Sequence, residues 1–107
     1  YANYLKYMEE ARTEFLEERG ISVKDLADKG TLFVVARQEI DYKMPAVYGD
    51  TIEIKARLSN TSSRKMEFEY DIKNQDGKEL AAAKTVMVCV GRDLKVKAIP
   101  PEIKERL

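Results

Sequence analysis

The feature that most constrains this chain is a change of period. Residues 1–20, YANYLKYMEEARTEFLEERG, space their hydrophobic side chains as a helix does, and from Thr31 the repeat becomes two. Asn3 is suited to cap the helix and Gly20 to close it, so the spacing predicts a helix over Tyr4–Arg19, roughly 24 Å long. At 100° per residue, Tyr7, Ala11, Tyr4, Phe15, Met8, Leu5 and Leu16 share about half the circumference. Glu10, Thr13, Glu14, Glu17 and Glu18 take the other half. So wide an apolar arc needs more than one neighbour to cover it, and a curved sheet supplies that.

Ser22-Val23-Lys24-Asp25 reads as a capping box opening a short helix that Gly30 ends. A first strand is predicted over Leu32–Lys43, ended by Met44-Pro45 because proline cannot donate to a ladder. After the turn Tyr48-Gly49-Asp50, Ile52, Ile54, Ala56 and Leu58 alternate with Glu53, Lys55 and Arg57. After Asn60-Thr61-Ser62-Ser63, Met66, Phe68, Tyr70 and Ile72 alternate with Glu67, Glu69, Asp71 and Lys73. Asn74-Gln75-Asp76-Gly77 is a hairpin turn. The strand Glu79–Val90 is apolar on both faces near its end, as an interior strand covered by the helix on one side and by a second element or subunit on the other would be. A last strand is predicted near Leu94–Ile99, then a short helix with Pro101 in its first turn. Long twisted antiparallel strands wrap a helix rather than lie flat beneath it. The expected class is α+β, one domain over residues 1–107 with a central helix in the palm of the sheet.

Composition excludes several chemistries. The chain has no His, so imidazole-based nucleophile systems and His-bearing zinc sites are out, and one Cys cannot form a thiolate cage. Acid–base work must fall to a carboxylate, Tyr, Lys or water. With 19 basic and 19 acidic residues, no net field draws in nucleic acid or a membrane surface. The longest apolar run, Val86–Val90, is far too short to span a bilayer. The single Cys89 fits a reducing cytoplasm.

Four segments carry a family resemblance. They are Asn3-Tyr4-Leu5…Tyr7…Glu9-x-Ala11-Arg12…Glu14-Phe15, Tyr42-Lys43-x-Pro45…Tyr48-Gly49-Asp50, Ser63-Arg64-Lys65-Met66-Glu67-Phe68, and Val86–Val90. With them the chain resembles, over essentially its whole length, the 4-hydroxybenzoyl-CoA thioesterase-like family of hotdog-fold acyl-CoA thioesterases. The resemblance implies hydrolysis of an acyl or aroyl thioester to free acid and CoA, with coenzyme A as part of the substrate and no separate cofactor. It also implies a strand before the helix and an Asp about seven residues ahead of Tyr1, near the positive end of the helix. On that pattern residues 1–107 are N-terminally incomplete, and the backbone amide of Tyr1 is the donor that polarises the thioester carbonyl.

Asn3 and Tyr4 are then the expected substrate contacts at the helix start. Ser62, Ser63, Arg64 and Lys65 are expected at the phosphates of CoA, the arginine offering a planar fork. The plainer reading of Arg64 and Lys65 is two surface charges at a strand start. Arg12 and Arg19 lie inside the apolar arc, and Glu9 is the expected ion-pair partner of Arg12, a substrate carboxylate being the alternative. Asp50 reads as a turn cap and Cys89 as a small core hydrophobe. Shared sites of this family call for a homodimer or homotetramer in the cytoplasm. The competing readings are a non-catalytic hotdog ligand-binding or assembly module and a monomeric cystatin-like cone.

Overall fold

A computed structural model describes residues 3–107. The first helix, α1, runs Tyr4–Glu17, with the Asn3 side chain accepting from the Lys6 amide at 3.2 Å. Gly20 has φ +71°, where a side chain would be strained. That geometry lets Gly20 N–H donate to Glu17 O and Ile21 N–H donate to Leu16 O, both at 2.9 Å. Ile21 and Leu16 are buried together beneath this closure. Helix α2, Val23–Asp28, is capped by the Ser22 hydroxyl, which accepts from the Asp25 amide.

Four antiparallel strands follow: β1 Leu32–Tyr42, β2 Glu53–Thr61, β3 Lys65–Lys73 and β4 Glu79–Val90, in spatial order β1-β4-β3-β2. Register slips between Val35 and Arg37 in β1 and between Leu58 and Asn60 in β2. Each bulge adds local twist and helps the sheet curl. Pairing fixes two faces. Met66, Phe68, Tyr70 and Ile72 of β3 lie in rows with Met87, Thr85, Ala83 and Ala81 of β4, and all eight are buried on the helix side. Glu67, Glu69 and Asp71 point the other way, beside Val86, Lys84 and Ala82. Phe15 of α1 meets Phe68 edge-on at 5.4 Å between centroids, and burying one such ring contributes about 2–3 kcal/mol.

Three expectations change. The apolar arc of α1 is covered only along its middle: Tyr4, Met8 and Leu16 are buried, while Leu5 and Tyr7 are 52% and 40% exposed. The segment Leu94–Ile99 is not a strand but a single bridge, Val90 to Val96. Its amides go to two places, Lys97 N–H to Cys89 O and Ile99 N–H to Ser63 O, so no ladder builds up. It crosses from the end of β4 to the β2–β3 turn and leads into α3, Pro101–Lys104. Finally, Arg12 makes no ion pair with Glu9. Its Nη1 instead donates to the Tyr70 hydroxyl at 3.5 Å, fifty-eight positions along the chain.

The C-terminal segment also ties down the first half of the chain. Arg92 donates to Asp28 O at the end of α2, and Arg106 to Gly20 O after α1. Lys97 Nζ reaches the Thr31 hydroxyl. These cations sit where helices present unpaired carbonyls, which is the electrostatically favourable end for them.

Candidate active site

Tyr4 opens α1 and is buried, with its ring stacked on Tyr42 at the end of β1, 6.0 Å between centroids. Burial pushes its phenol pKa up, and Tyr42 and the negative field of Asp50 push the same way. Asp50 is held by two donors, Val47 N–H at 2.9 Å and Gln75 Nε2 at 3.1 Å, which lower its pKa. Gln75 Oε1 in turn accepts from the Thr51 amide. Asp50 is therefore the structural cap expected, and it fixes the 43–52 loop at the same end of the sheet as the start of α1. With both oxygens engaged it is a poor base. Asn3 spends its side-chain oxygen on the helix, and Tyr1 lies outside the described residues.

Ser62, Ser63, Arg64 and Lys65 form the tight β2–β3 turn. Ser62 N–H donates to Lys65 O, and Lys65 N–H donates to the Ser62 hydroxyl. All four are exposed, and among the described residues neither cation has a carboxylate partner. The turn is thus built to present two free cations. It is not beside Tyr4, however. Lys65 starts β3, whereas Ile72 lies in the row of Ala81 and Tyr42, under the start of α1. Seven residues of strand place the two groups about 23 Å apart. The predicted site residues among those described therefore split between opposite ends of the sheet.

The Tyr4–Tyr42 stack, the Asp50–Gln75 bond and the Arg12–Tyr70 contact are not legible in the sequence. Tyr42 begins the segment Tyr42–Asp50, but nothing local shows that its ring meets Tyr4. Arg19 donates to Phe15 O and lies 3.5 Å over the Phe15 ring, so it caps its own helix. Burial raises the Cys89 thiol pKa against the opposing pull of Lys97, which makes it an inert core group. Among the described residues no cluster of Cys, Asp or Glu is arranged to hold a metal ion.

One helix cradled by a curled antiparallel sheet is the hotdog arrangement, and it superposes on solved members. A DHNA-CoA thioesterase from Staphylococcus aureus matches with a TM-score of 0.91 over 97% of this chain and 72% of that one, at 23% identity, a likeness of fold. The Thioesterase-like superfamily model matches residues 1–107, so the chain belongs to that superfamily. A putative esterase of Aquifex aeolicus is 32% identical over 108 residues, covering all of this chain and 82% of that protein. The acyl-CoA thioester hydrolase YbgC of Escherichia coli O6:H1 is 30% identical, covering 96% of this chain and 78% of its own length.

Proposed function

We propose that the protein is an acyl-CoA thioester hydrolase. Water supplies the oxygen that bonds to the acyl carbon, the carbon–sulfur bond breaks, and the CoA thiol leaves with a proton. The observation that carries this reading is the superfamily match along the whole chain, together with a relative named for that activity. The positive end of α1 is where charge developing on the thioester oxygen is best stabilised, and the family resemblance makes the Tyr1 amide the donor. In this scheme a carboxylate attacks the acyl carbon or activates the water at that end of the helix. No cofactor enters the scheme. Arg64 and Lys65, with Ser62 and Ser63, hold the CoA phosphates.

The 23 Å separation within one chain favours a homo-oligomer. Strand β1 is a sheet edge whose Val34 and Val35 are 39% and 46% exposed, a surface that invites pairing. Antiparallel pairing of two β1 edges brings the Tyr42 end of one protomer beside the Leu32 end of the other. Leu32 pairs with Val90, close to Lys65 and Val88, so the phosphate-binding turn of the partner comes to the helix start. A homodimer or a tetramer of such dimers in the cytoplasm is the proposed form. None of the described helices is long and apolar enough to cross a membrane.

The test is thiol release from a broad panel of acyl- and aroyl-CoA substrates by the protein extended through the upstream coding sequence. Turnover is expected there and at least a hundredfold less from residues 1–107 alone. Absence of free CoA across the panel overturns the reading, and CoA binding without turnover points to a binding module instead.

A further inference from the structure

The outer face of the sheet is charged at one end and apolar at the other. Glu39, Lys84, Glu69 and Arg57 lie side by side in one row, and Asp41, Asp71 and Lys55 surround Ala82 in the next. Toward the start of β1 the rows change. Val86 stands between Arg37 and Glu67, Val88 between Val34 and Lys65, and Val90 between Leu32 and Val96. Val88 and Val90 are buried, yet neither belongs to the core beneath α1. They form a second, smaller apolar cluster on the side away from the helix. Residues of both N-terminal helices that pack on the sheet, such as Phe15 and Leu26, join the core on the opposite side. Val34 and Val96 are left 39% and 57% exposed. Single exposed apolar side chains are ordinary, but a contiguous patch with a charged rim marks an interaction surface.

The turn after β4 points the same way. Leu94, two residues before Val96, has φ +63°, a left-handed backbone that favours glycine, and its side chain is 68% exposed. Holding a leucine there costs on the order of 1 kcal/mol, and exposing it recovers none of that. Glycine would relieve the backbone and remove the exposed apolar surface together. Stability of the single chain therefore does not account for Leu94, whereas a contact at this end of the outer face does.

We infer that this patch docks a second copy of the chain, outer face on outer face. Valine-bearing strands pack on one another as two sheets do, about 10 Å apart and crossed by about 30°. The row of Val86 is also self-complementary, with Arg37 on its β1 side and Glu67 on its β3 side. A twofold axis close to the direction of β4 sets Val86 on the partner's Val86 and each Arg37 against the partner's Glu67. The crossing angle splays the charged rows apart, so Lys84, Glu69 and Arg57 stay in water. Lys65, opposite Val88, borders the seam, which places the β2–β3 turn at its rim. This contact is separate from pairing of the β1 edges and joins two edge-paired dimers. It does not depend on which reaction the protein catalyses.

The experiment is sedimentation equilibrium of the extended protein and its variants, with circular dichroism to confirm that each variant is folded. Val86→Lys places a charge at an outward-facing strand position and halves the wild-type mass. The step is from tetramer to edge-paired dimer, or from dimer to monomer where the edges do not pair. Arg37→Glu and Glu67→Arg each raise the dissociation constant of this step by about tenfold or more. The double exchange recovers most of that loss, because the opposed charges are restored. If Val86→Lys does not fold, Leu94→Gly decides: it relaxes its own turn and still weakens association, and association as tight as wild type counts against the inference. A monomeric wild type, a mass that Val86→Lys leaves unmoved, or a double exchange that associates no better than either single variant overturns it and leaves the patch to a different protein. None of these measurements uses turnover, so failure of the thioesterase reading does not touch them.

Discussion

The two faces of the sheet treat charge in opposite ways. On the outer face Arg57 is half exposed and has two carboxylates, Asp71 at 3.1 Å and Glu69 at 3.6 Å, while Lys84 has Glu67 at 3.7 Å. On the inner face Arg12 is buried and, among the described residues, its polar partner is a phenol. Ion pairs are thus made where water already solvates the charges and each is worth little. The charge is left alone where desolvation is dear. Stability by itself favours the reverse arrangement.

Three substitutions break or sharpen this contrast. The largest effect is expected from the apolar inner face: Phe68→Ala removes a fully buried ring and its edge-on contact with Phe15, costing about 3–5 kcal/mol in urea unfolding. A loss below 1 kcal/mol there means that the helix is not held by this face. Next comes Arg12→Met, which keeps the stem and deletes the charge. Unfolding free energy should hold or rise by about 1 kcal/mol, whereas a fall of several kcal/mol reveals a hidden counter-ion and removes the contrast. The smallest change belongs to Arg57→Ala, within about 0.5 kcal/mol and shrinking as salt is added. An effect of 2 kcal/mol, insensitive to salt, means that the outer face is covered by something that excludes water.

Much of the architecture was legible because its causes are local. The Asn3 cap, the Gly20 closure and the two-residue alternation of β3 each depend on backbone geometry within a few positions. Glu79–Val90 was found at its true ends because a turn precedes it and Gly91 follows. Leu94–Ile99 was misread because alternation does not reveal whether amides find one partner strand or two. Glu9 was the wrong partner for Arg12 for a related reason: helical spacing puts the two within reach, but burial turned the guanidinium inward to Tyr70.

By itself the sequence determined the two N-terminal helices, the four long strands, which face of β3 is buried, and the family. Only the tertiary structure decided distances and company: that Arg64 and Lys65 stand at the far end from Tyr4, that Tyr42 stacks on Tyr4, and that Arg12 is buried without a carboxylate. The physical reason is range. Periodicity, caps and turns follow from torsions and hydrogen bonds between near neighbours, while register and burial come from pairing residues tens of positions apart.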